Sequence, residues 1–483
     1  MNSPFDFLLR GYANLQPSFS VIENTMSVEG ATLTQGSVGN HLIRQTLPMV
    51  FGVLAIMSVG LVDAYYIGLL GDAPLTAVSF IFPVIMALSS LGIGVIAGIA
   101  SVVSRALGGG SRIRAQSLAG FGLVVAILFG LLIATLLYFF KIPLFQLMNA
   151  SPELIVLIDA YMTPFALGFP VLLVTMAGNG TLRGQGMAGK ASLILLTLAL
   201  SNWILDPILI HGIGTIEGLG TFEGFGIQGA AYATISGWCI GAFVSLVLVQ
   251  RSPLRLSLTS LKEAHPTTDL KALFKVGGPA ALSNSVNPMG LSILTAMLAQ
   301  YGDAAVAGFG AGGRLQSLAI VPLLALSSSI GAIVGQNWGA GYGDRARRAL
   351  WLSLGFCLVY GLVAGTLLSW WSEPLAHIFT EDIDTIDAIS SYLVISVWGY
   401  AGFGALIVVN GALNAMDRAN FALMQSVLRV TVFMIPVAWG LGFWLDARSI
   451  YAGELIANLL GGVVAVLLGR ALLDDRWLRH PSA

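Results

Sequence analysis

Long apolar blocks alternate with short polar breaks along the chain after residue 40, and there are twelve of them. They lie near 42–70, 75–104, 117–140, 154–180, 188–212, 226–250, 272–301, 304–334, 348–371, 386–412, 419–445 and 449–472. A helix rises about 1.5 Å per residue, so roughly 20 residues cross a ~30 Å hydrocarbon layer. Each block is long enough to span, and the pattern predicts an all-α polytopic membrane protein with 12 transmembrane helices. The second and eighth blocks exceed what a straight crossing requires and are expected to tilt or bend.

Composition strengthens this reading. The 483 residues are 56% hydrophobic and 10% charged, whereas soluble domains carry roughly a quarter charged residues. Residues 1–40 are mixed and polar and lack a basic segment followed by an apolar core, so they are expected to form a flexible tail and not a cleaved signal peptide. Cys239 and Cys357 lie in apolar blocks without metal-ligand spacing, as small packing residues do. A net charge of −1 with no basic face excludes nucleic acid as a partner.

Lys and Arg orient the helices. Assigned to alternate breaks, 19 of the 23 basic residues fall on one side, among them Arg10, Arg44, Arg105, Lys275, Arg345, Arg418, Arg476 and Arg479. Lys141 and Arg448 fall in the opposite loops, which carry Glu217, Glu223, Glu373, Glu381, Asp382 and Asp384. The positive-inside rule then places both termini in the cytoplasm, in agreement with an even number of spans. A plasma (inner) membrane location is expected.

The two halves resemble each other at one fixed offset, the shift that carries Pro48 onto Pro279. At that shift "GDA" at 71–73 matches 302–304, and "GGG" at 108–110 faces "GAG" at 339–341. Arg114-Ala115 faces Arg345-Ala346, Tyr161 matches Tyr392, and "NGTL" at 179–182 faces "NGAL" at 410–413. Six spans per unit is an even number, so the units point the same way. Two pseudo-symmetric six-helix lobes around a central cavity are expected, as suits two bundles rocking about a shared site. The division is a tail (1–40), an N-lobe (41–250), a cytoplasmic linker (251–271), a C-lobe (272–473) and a tail (474–483).

Carboxylates inside apolar blocks are costly, about 2.5–3.5 kcal/mol on insertion scales, and mark function by default. Asp63 in the first block lies ~28 Å along its helix from Arg44, and Asp206 in the fifth ~24 Å from Lys190, at the usual helical rise. Both therefore fall in the outer half of the membrane. Thr234 and Ala230 in the sixth block, and Tyr161 in the fourth, share that layer. Asn202 and Asp206 are one helical turn apart, as are Ala230 and Thr234, so each pair shares a helix face. Pro207 cannot donate a backbone hydrogen bond and frees the Trp203 carbonyl. These oxygens suit a small hard cation such as Na⁺. They equally suit a proton, because two adjacent buried carboxylates cannot both ionise readily and exchange protons as a unit.

At the repeat's offset Asp63 faces Leu294, Asn202 faces Phe433, Asp206 faces Val437, Ala230 faces Gly461 and Thr234 faces Ala465. The polar layer is therefore expected to belong to the N-terminal half alone, and Tyr161, which keeps its type as Tyr392, also fits a structural role. The competing reading is a buried strut in which Arg314 or Arg429, both inside blocks, pairs with the carboxylates; either arginine also fits a gate. Thr234 also fits a bond to its own helix backbone. Glu454, at the outer end of the last block, is expected at the membrane interface. Pro279 and Pro288 suggest a bent seventh helix with Asn284 and Asn287 exposed to the cavity, or a packed kink.

The stretches "LVDAYYIGLLGDAPLTAV", "SVVSRALGGG", "NGTLRGQG", "SNWILDP", "GIQGAAYAT", "YGDAAVAGFG" and "GQNWGAGYGD", in this order and spacing, resemble the multidrug and toxic compound extrusion (MATE) family, in its N-lobe-coupled, DinF-like branch. The resemblance covers nearly the whole chain after the tail. It implies an antiporter that exports organic, often cationic and amphipathic, compounds in exchange for H⁺ or Na⁺, with no cofactor. It further implies Asp63, Asn202, Asp206 and Thr234 as coupling residues, Ala230 as a backbone ligand and Tyr161 as a hydrogen-bonding neighbour. A second branch carries acidic residues on helices seven and ten. Here helix seven offers Asn284 and Asn287, and 390–415 holds no Asp or Glu.

Other classes fit less well. A flippase for lipid-linked sugars needs several basic residues in its cavity, and only Arg314 and Arg429 lie within spans. An intramembrane enzyme lacks support, since no H-E-x-x-H or G-x-S-x-G occurs and His211 stands alone near an outer loop. Two non-identical halves fit alternating access better than a channel. Small organic substrates, the lipid bilayer and a monomeric state are the expected associations.

Overall fold

The computed structural model describes residues 31–216 and 220–473. Most of the expected N-terminal tail, the C-terminal tail 474–483 with Arg476 and Arg479, Arg10 and Glu217 lie outside the described residues. The helices are α1 (Val38–Gly68), α2 (Asp72–Gly108), α3 (Arg112–Leu147), α4 (Pro152–Gly184), α5 (Ala188–His211) and α6 (Ile227–Gln250) in the first half. The second half holds α7 (Pro266–Leu298), α8 (Asp303–Ala319 and Val321–Gly339), α9 (Gly343–Trp370), α10 (Ile383–Ala415), α11 (Ala419–Leu445) and α12 (Arg448–Leu473). Ten of these are long and apolar enough to cross a membrane by themselves, and α8 makes eleven when its two pieces count as one span. Serines, asparagines and prolines dilute the apolar character of α7, which has 33 residues.

The expected bend in the eighth span is present, at 44° between its two pieces. Pro322 sits at the start of the second piece, where a missing N–H and a fixed φ end one helix and open another. By contrast α2 runs unbroken through Pro83 over 37 residues. The segment between α5 and α6, a polar break in the sequence pattern, holds an antiparallel hairpin, β1 (Gly214–Ile216) on β2 (Gly220–Phe222). The connection between the halves includes a short helix, Leu258–Leu261, and α7 starts at Pro266, earlier than the expected residue 272.

The repeat recurs in the backbone itself. Positive φ angles occur at Gly71 and Gly302, at Gly110 and Gly341, and at Gly186 and Asp417, each pair related by the repeat's offset. Left-handed turns of this kind favour Gly, with Asn and Asp next. Packing recurs as well. A Cβ on Gly108 would lie 2.1 Å from the Gln336 carbonyl oxygen, and one on Gly339 would lie 2.3 Å from that of Arg105. Arg105 and Gln336 are themselves mates, so α2 and α8 cross about a local two-fold. Likewise Gly180 abuts the Ile96 backbone and Gly411 the Ser327 backbone. The recurring glycines are thus positions where another helix leaves no room for a side chain.

The halves join at their basic end. There α7 packs on α2, and Val321–Gly339 packs on α1 and α2. Lys275 and Arg105 reach Asp417 at 2.6 and 3.7 Å. Ser101 Oγ donates to the Asn414 carbonyl at 2.5 Å, and Gln336 Nε2 to the Gly184 carbonyl at 3.0 Å. Leu33, buried in a short 3₁₀ turn (Thr32–Thr34), donates its N–H to Gln336 Oε1 at 3.1 Å and accepts from Asn337 Nδ2 at 3.1 Å. This end of the molecule is closed.

Candidate cation-coupling site

Helices α1 and α5 run side by side and are pinned at two levels. Near the basic end Ser192 Oγ donates to the Pro48 carbonyl at 2.5 Å. Gly52 allows this approach, since a Cβ there would come within 2.7 Å of Ser192 Oγ. Near the opposite end His211 Nε2 lies 2.9 Å from the Tyr66 carbonyl. Between the pins the Asp63 side chain lies beside those of Asp206 and Asn202. Asn202 Nδ2 donates to Asp206 Oδ1 at 3.2 Å, across the single turn that separates them. Asp206 is 0% exposed and Asn202 2%.

The neighbouring wall comes from α4 and α6. Tyr161 is buried near Thr234, and Ala230 lies buried one turn earlier on α6. Tyr161 stacks on Phe165 at 5.9 Å, and Phe165 meets Trp238 edge-on at 5.0 Å. These aromatics fix the tyrosine's position and close the site from behind. The fold thus brings Asp63, Asn202, Asp206, Thr234 and Tyr161 into one region of the N-terminal half, with Ala230 adjoining.

Four oxygens of this group are buried without a hydrogen-bond partner: Asp63 Oδ1, Asn202 Oδ1, Asp206 Oδ2 and Thr234 Oγ1. Most buried polar atoms in proteins are satisfied, so four orphaned oxygens from three helices demand an explanation. The donor set is made of hard oxygens alone. No group of three or more His, Cys, Asp or Glu side chains that could hold a metal ion occurs among the described residues. The arrangement can accept a proton shared between two carboxyls, or a small cation held by carboxylate, amide and hydroxyl oxygens.

Neither arginine acts as a strut for these carboxylates. Arg314 is exposed. Arg429 points into the other half: its Nη1 donates to Asn287 Oδ1 at 2.7 Å, its Nε donates to Asn458 Oδ1 at 2.8 Å, and its guanidinium lies 4.9 Å from the Phe403 ring centre. Asn287 is therefore engaged and not free in a cavity, and Asn284 bonds its own helix at the Ala280 carbonyl, 2.8 Å away. Glu454 does not sit at the interface. It is 1% exposed, accepting from Gln316 Nε2 at 2.6 Å and Tyr392 Oη at 3.2 Å. Position near the end of a block misleads here, because α8, α10 and α11 fold over this part of α12.

The MatE family model matches the chain twice, at residues 48–208 and 279–439, and the two matches are displaced by the same offset as the internal repeat. The FAD transporter of Shewanella oneidensis is 33% identical over 443 residues, covering 92% of this chain and 96% of that protein. The multidrug export protein MepA of Staphylococcus aureus is 24% identical, covering 89% and 93%. Among solved structures, a mutant of the MATE transporter VcmN of Vibrio cholerae superposes with a TM-score of 0.85 at 27% identity, covering 92% of this chain and 99% of that one. The two-lobe helical fold, the doubled family match and the close relatives agree: the chain belongs to the MATE family, and it is a multi-pass membrane transporter and not an enzyme.

Proposed function

We propose that the protein is a secondary antiporter that exports an organic compound in exchange for H⁺ or Na⁺ bound at Asp63, Asn202, Asp206 and Thr234. The four orphaned buried oxygens carry this reading. On it, the basic side faces the cytoplasm, and the structure is the state closed on that side. Filling the site would neutralise the paired carboxyls and change how α1 packs on α5, with Pro48 as a weak point in α1.

Two substrate classes follow from the relatives. MepA is a multidrug export protein, which favours amphipathic cations. The 33% identity to an FAD transporter favours a flavin nucleotide, a large anion with an aromatic ring. A lipid-linked sugar fits less well, because few basic residues lie inside the spans among the described residues and Arg429 is engaged in packing.

Purified protein in liposomes, given a pH gradient or a Na⁺ gradient separately, tests the reading. One gradient should drive uptake of either ethidium or FAD, and Asp63→Asn and Asp206→Asn should abolish it. If an imposed gradient moves substrate equally well in both variants, the coupling site lies elsewhere.

A further inference from the structure

The C-terminal half has its own buried polar centre, in which Tyr392 is the mate of Tyr161 while Gln316, Arg429 and Glu454 have no mate in the N-terminal site. Glu454 on α12 is enclosed by Gln316 from α8 and Tyr392 from α10. Ser396 is one turn beyond Tyr392 and donates to the Tyr451 carbonyl at 3.3 Å. Arg429 on α11 is the nearby cation, sensing Glu454 electrostatically while its hydrogen bonds go to Asn287 and Asn458. The carboxylate thus has two neutral donors, and it forms no direct ion pair with Arg429.

We propose that Glu454 is a second proton-exchanging group of the transporter and that Arg429 reads its charge. This rests on the coupled-antiport reading for its role in transport, though not for the proton exchange itself. The step is a protonation: one proton joins a carboxylate oxygen of Glu454, and Gln316 or Tyr392 turns from donor to acceptor, as an amide oxygen and a phenol oxygen both allow. An ionised Glu454 balances the buried Arg429 charge; a protonated one leaves that charge to the dipoles of Asn287 and Asn458. A buried charge without a close partner is costly, so the two states favour different packings around Arg429.

Two features make this region able to respond. Residues Arg429–Met434 form a π-helical turn within α11, and such turns often mark functional positions. Asn287 precedes Pro288 inside α7, the helix that packs on α2 of the other half. The path Glu454–Arg429–Asn287 therefore ends on the helix that, nearer its start, packs on the other half at Gly277 and Ala281. The other titratable groups around Glu454 are Tyr400 and Tyr392 of α10, Tyr451 of α12, Tyr360 of α9 beside Tyr400, and the outer pair Asp387 and Arg448 at 4.0 Å. Of these neighbours and Arg429, the arginine is the cation that faces Glu454 from within the spans.

Infrared difference spectroscopy on the full-length protein during a pH step, with no substrate present, tests the proposal. In an Asp63→Asn/Asp206→Asn variant one protonated-carboxyl band should still appear and vanish as the pH is stepped, and adding Glu454→Gln should remove it. Tyr392→Phe, which deletes one hydrogen bond, should shift that band, and serves if the triple variant does not fold. No titrating band in the double variant, or a band indifferent to both Glu454→Gln and Tyr392→Phe, overturns the proposal whatever transport does. In liposomes Glu454→Gln should lower the number of protons moved per substrate; an unchanged number would exclude a role in coupling.

Discussion

The two halves of this transporter share a scaffold down to individual backbone angles and differ in what they bury. Gly108 and Gly339 fit against mated carbonyls, and the turns at Gly71 and Gly302 have the same sign of φ. Yet the N-terminal half holds a pair of carboxyls with orphaned oxygens, and the C-terminal half holds Glu454, whose two oxygens each accept a hydrogen bond, near an arginine. Tyrosines at mated positions serve both: Tyr161 lies near Thr234, and Tyr392 donates to Glu454. Duplication thus kept the groups that let helices cross and left the polar interior of each half free to diverge.

The largest effect should come from removing the N-terminal carboxyl that is most enclosed. Asp206→Asn is isosteric and should fold, but it deletes the charge a cation or proton needs. Gradient-driven uptake in liposomes should fall to that of protein-free vesicles. Persistent driven uptake would mean that the halves do not differ in the way proposed. Arg429→Met should act on stability instead, leaving Glu454 without its balancing charge. It also leaves the Asn287 and Asn458 amide oxygens without their donor; an unsatisfied buried acceptor costs about 1–3 kcal/mol, and thermal unfolding in detergent would report it. Combining Arg429→Met with Glu454→Gln should recover only the part of that loss that comes from the unbalanced charge.

A smaller pair of effects should be symmetric. Gly108→Ala and Gly339→Ala each force a methyl group against a mated backbone carbonyl. Overpacking of this kind costs about 1–3 kcal/mol, and the two melting shifts should be alike. By contrast Tyr161→Phe and Tyr392→Phe, also mates, should affect transport differently, because one phenol lies near Thr234 and the other donates to a carboxylate. Equal effects from the tyrosines and unequal ones from the glycines would invert the relation between the halves.

The scaffold is legible in the sequence because its causes are local or periodic. Apolar blocks mark the spans, Pro322 lies where the eighth bends, and a constant offset exposes the repeat. Asp63, Asn202, Asp206 and Thr234 stand out because charge and amide in an apolar block are rare, and the fold brings them together. The C-terminal centre is not legible. Gln316, Tyr392, Arg429 and Glu454 come from four helices separated by long stretches of chain, and apart from Tyr392, the mate of Tyr161, they do not repeat the polar set of the other half. Glu454 lies near the start of its helix, where an isolated acidic residue reads as interfacial; only the packing of α8, α10 and α11 buries it. The hairpin at 214–222 escapes the pattern because its strands are very short and carry Gly.

The smallest effect belongs to the clasp that joins the halves at their basic end. Asp417 occupies the position whose mate is Gly186, and both have positive φ, 66° and 75°. One half thus uses Gly for the turn, while the other uses a residue that tolerates the conformation and adds a charge. That charge meets Lys275 at 2.6 Å and Arg105 at 3.7 Å, on α7 and α2, and so bridges the halves. Asp417→Asn keeps the turn, because Asn also accepts this backbone, and removes only the attraction. Lys275 and Asp417 are partly exposed, and such pairs contribute about 0–1 kcal/mol. Melting should scarcely move. A small fraction of that energy still changes the ratio of two nearly balanced conformations, so a distance probe across the basic end should report more of the open form in Asp417→Asn. High salt should produce the same shift in the unmodified protein and little further change in the variant. A variant as closed as the parent at low salt would mean that glycine-mediated helix packing alone holds this end shut.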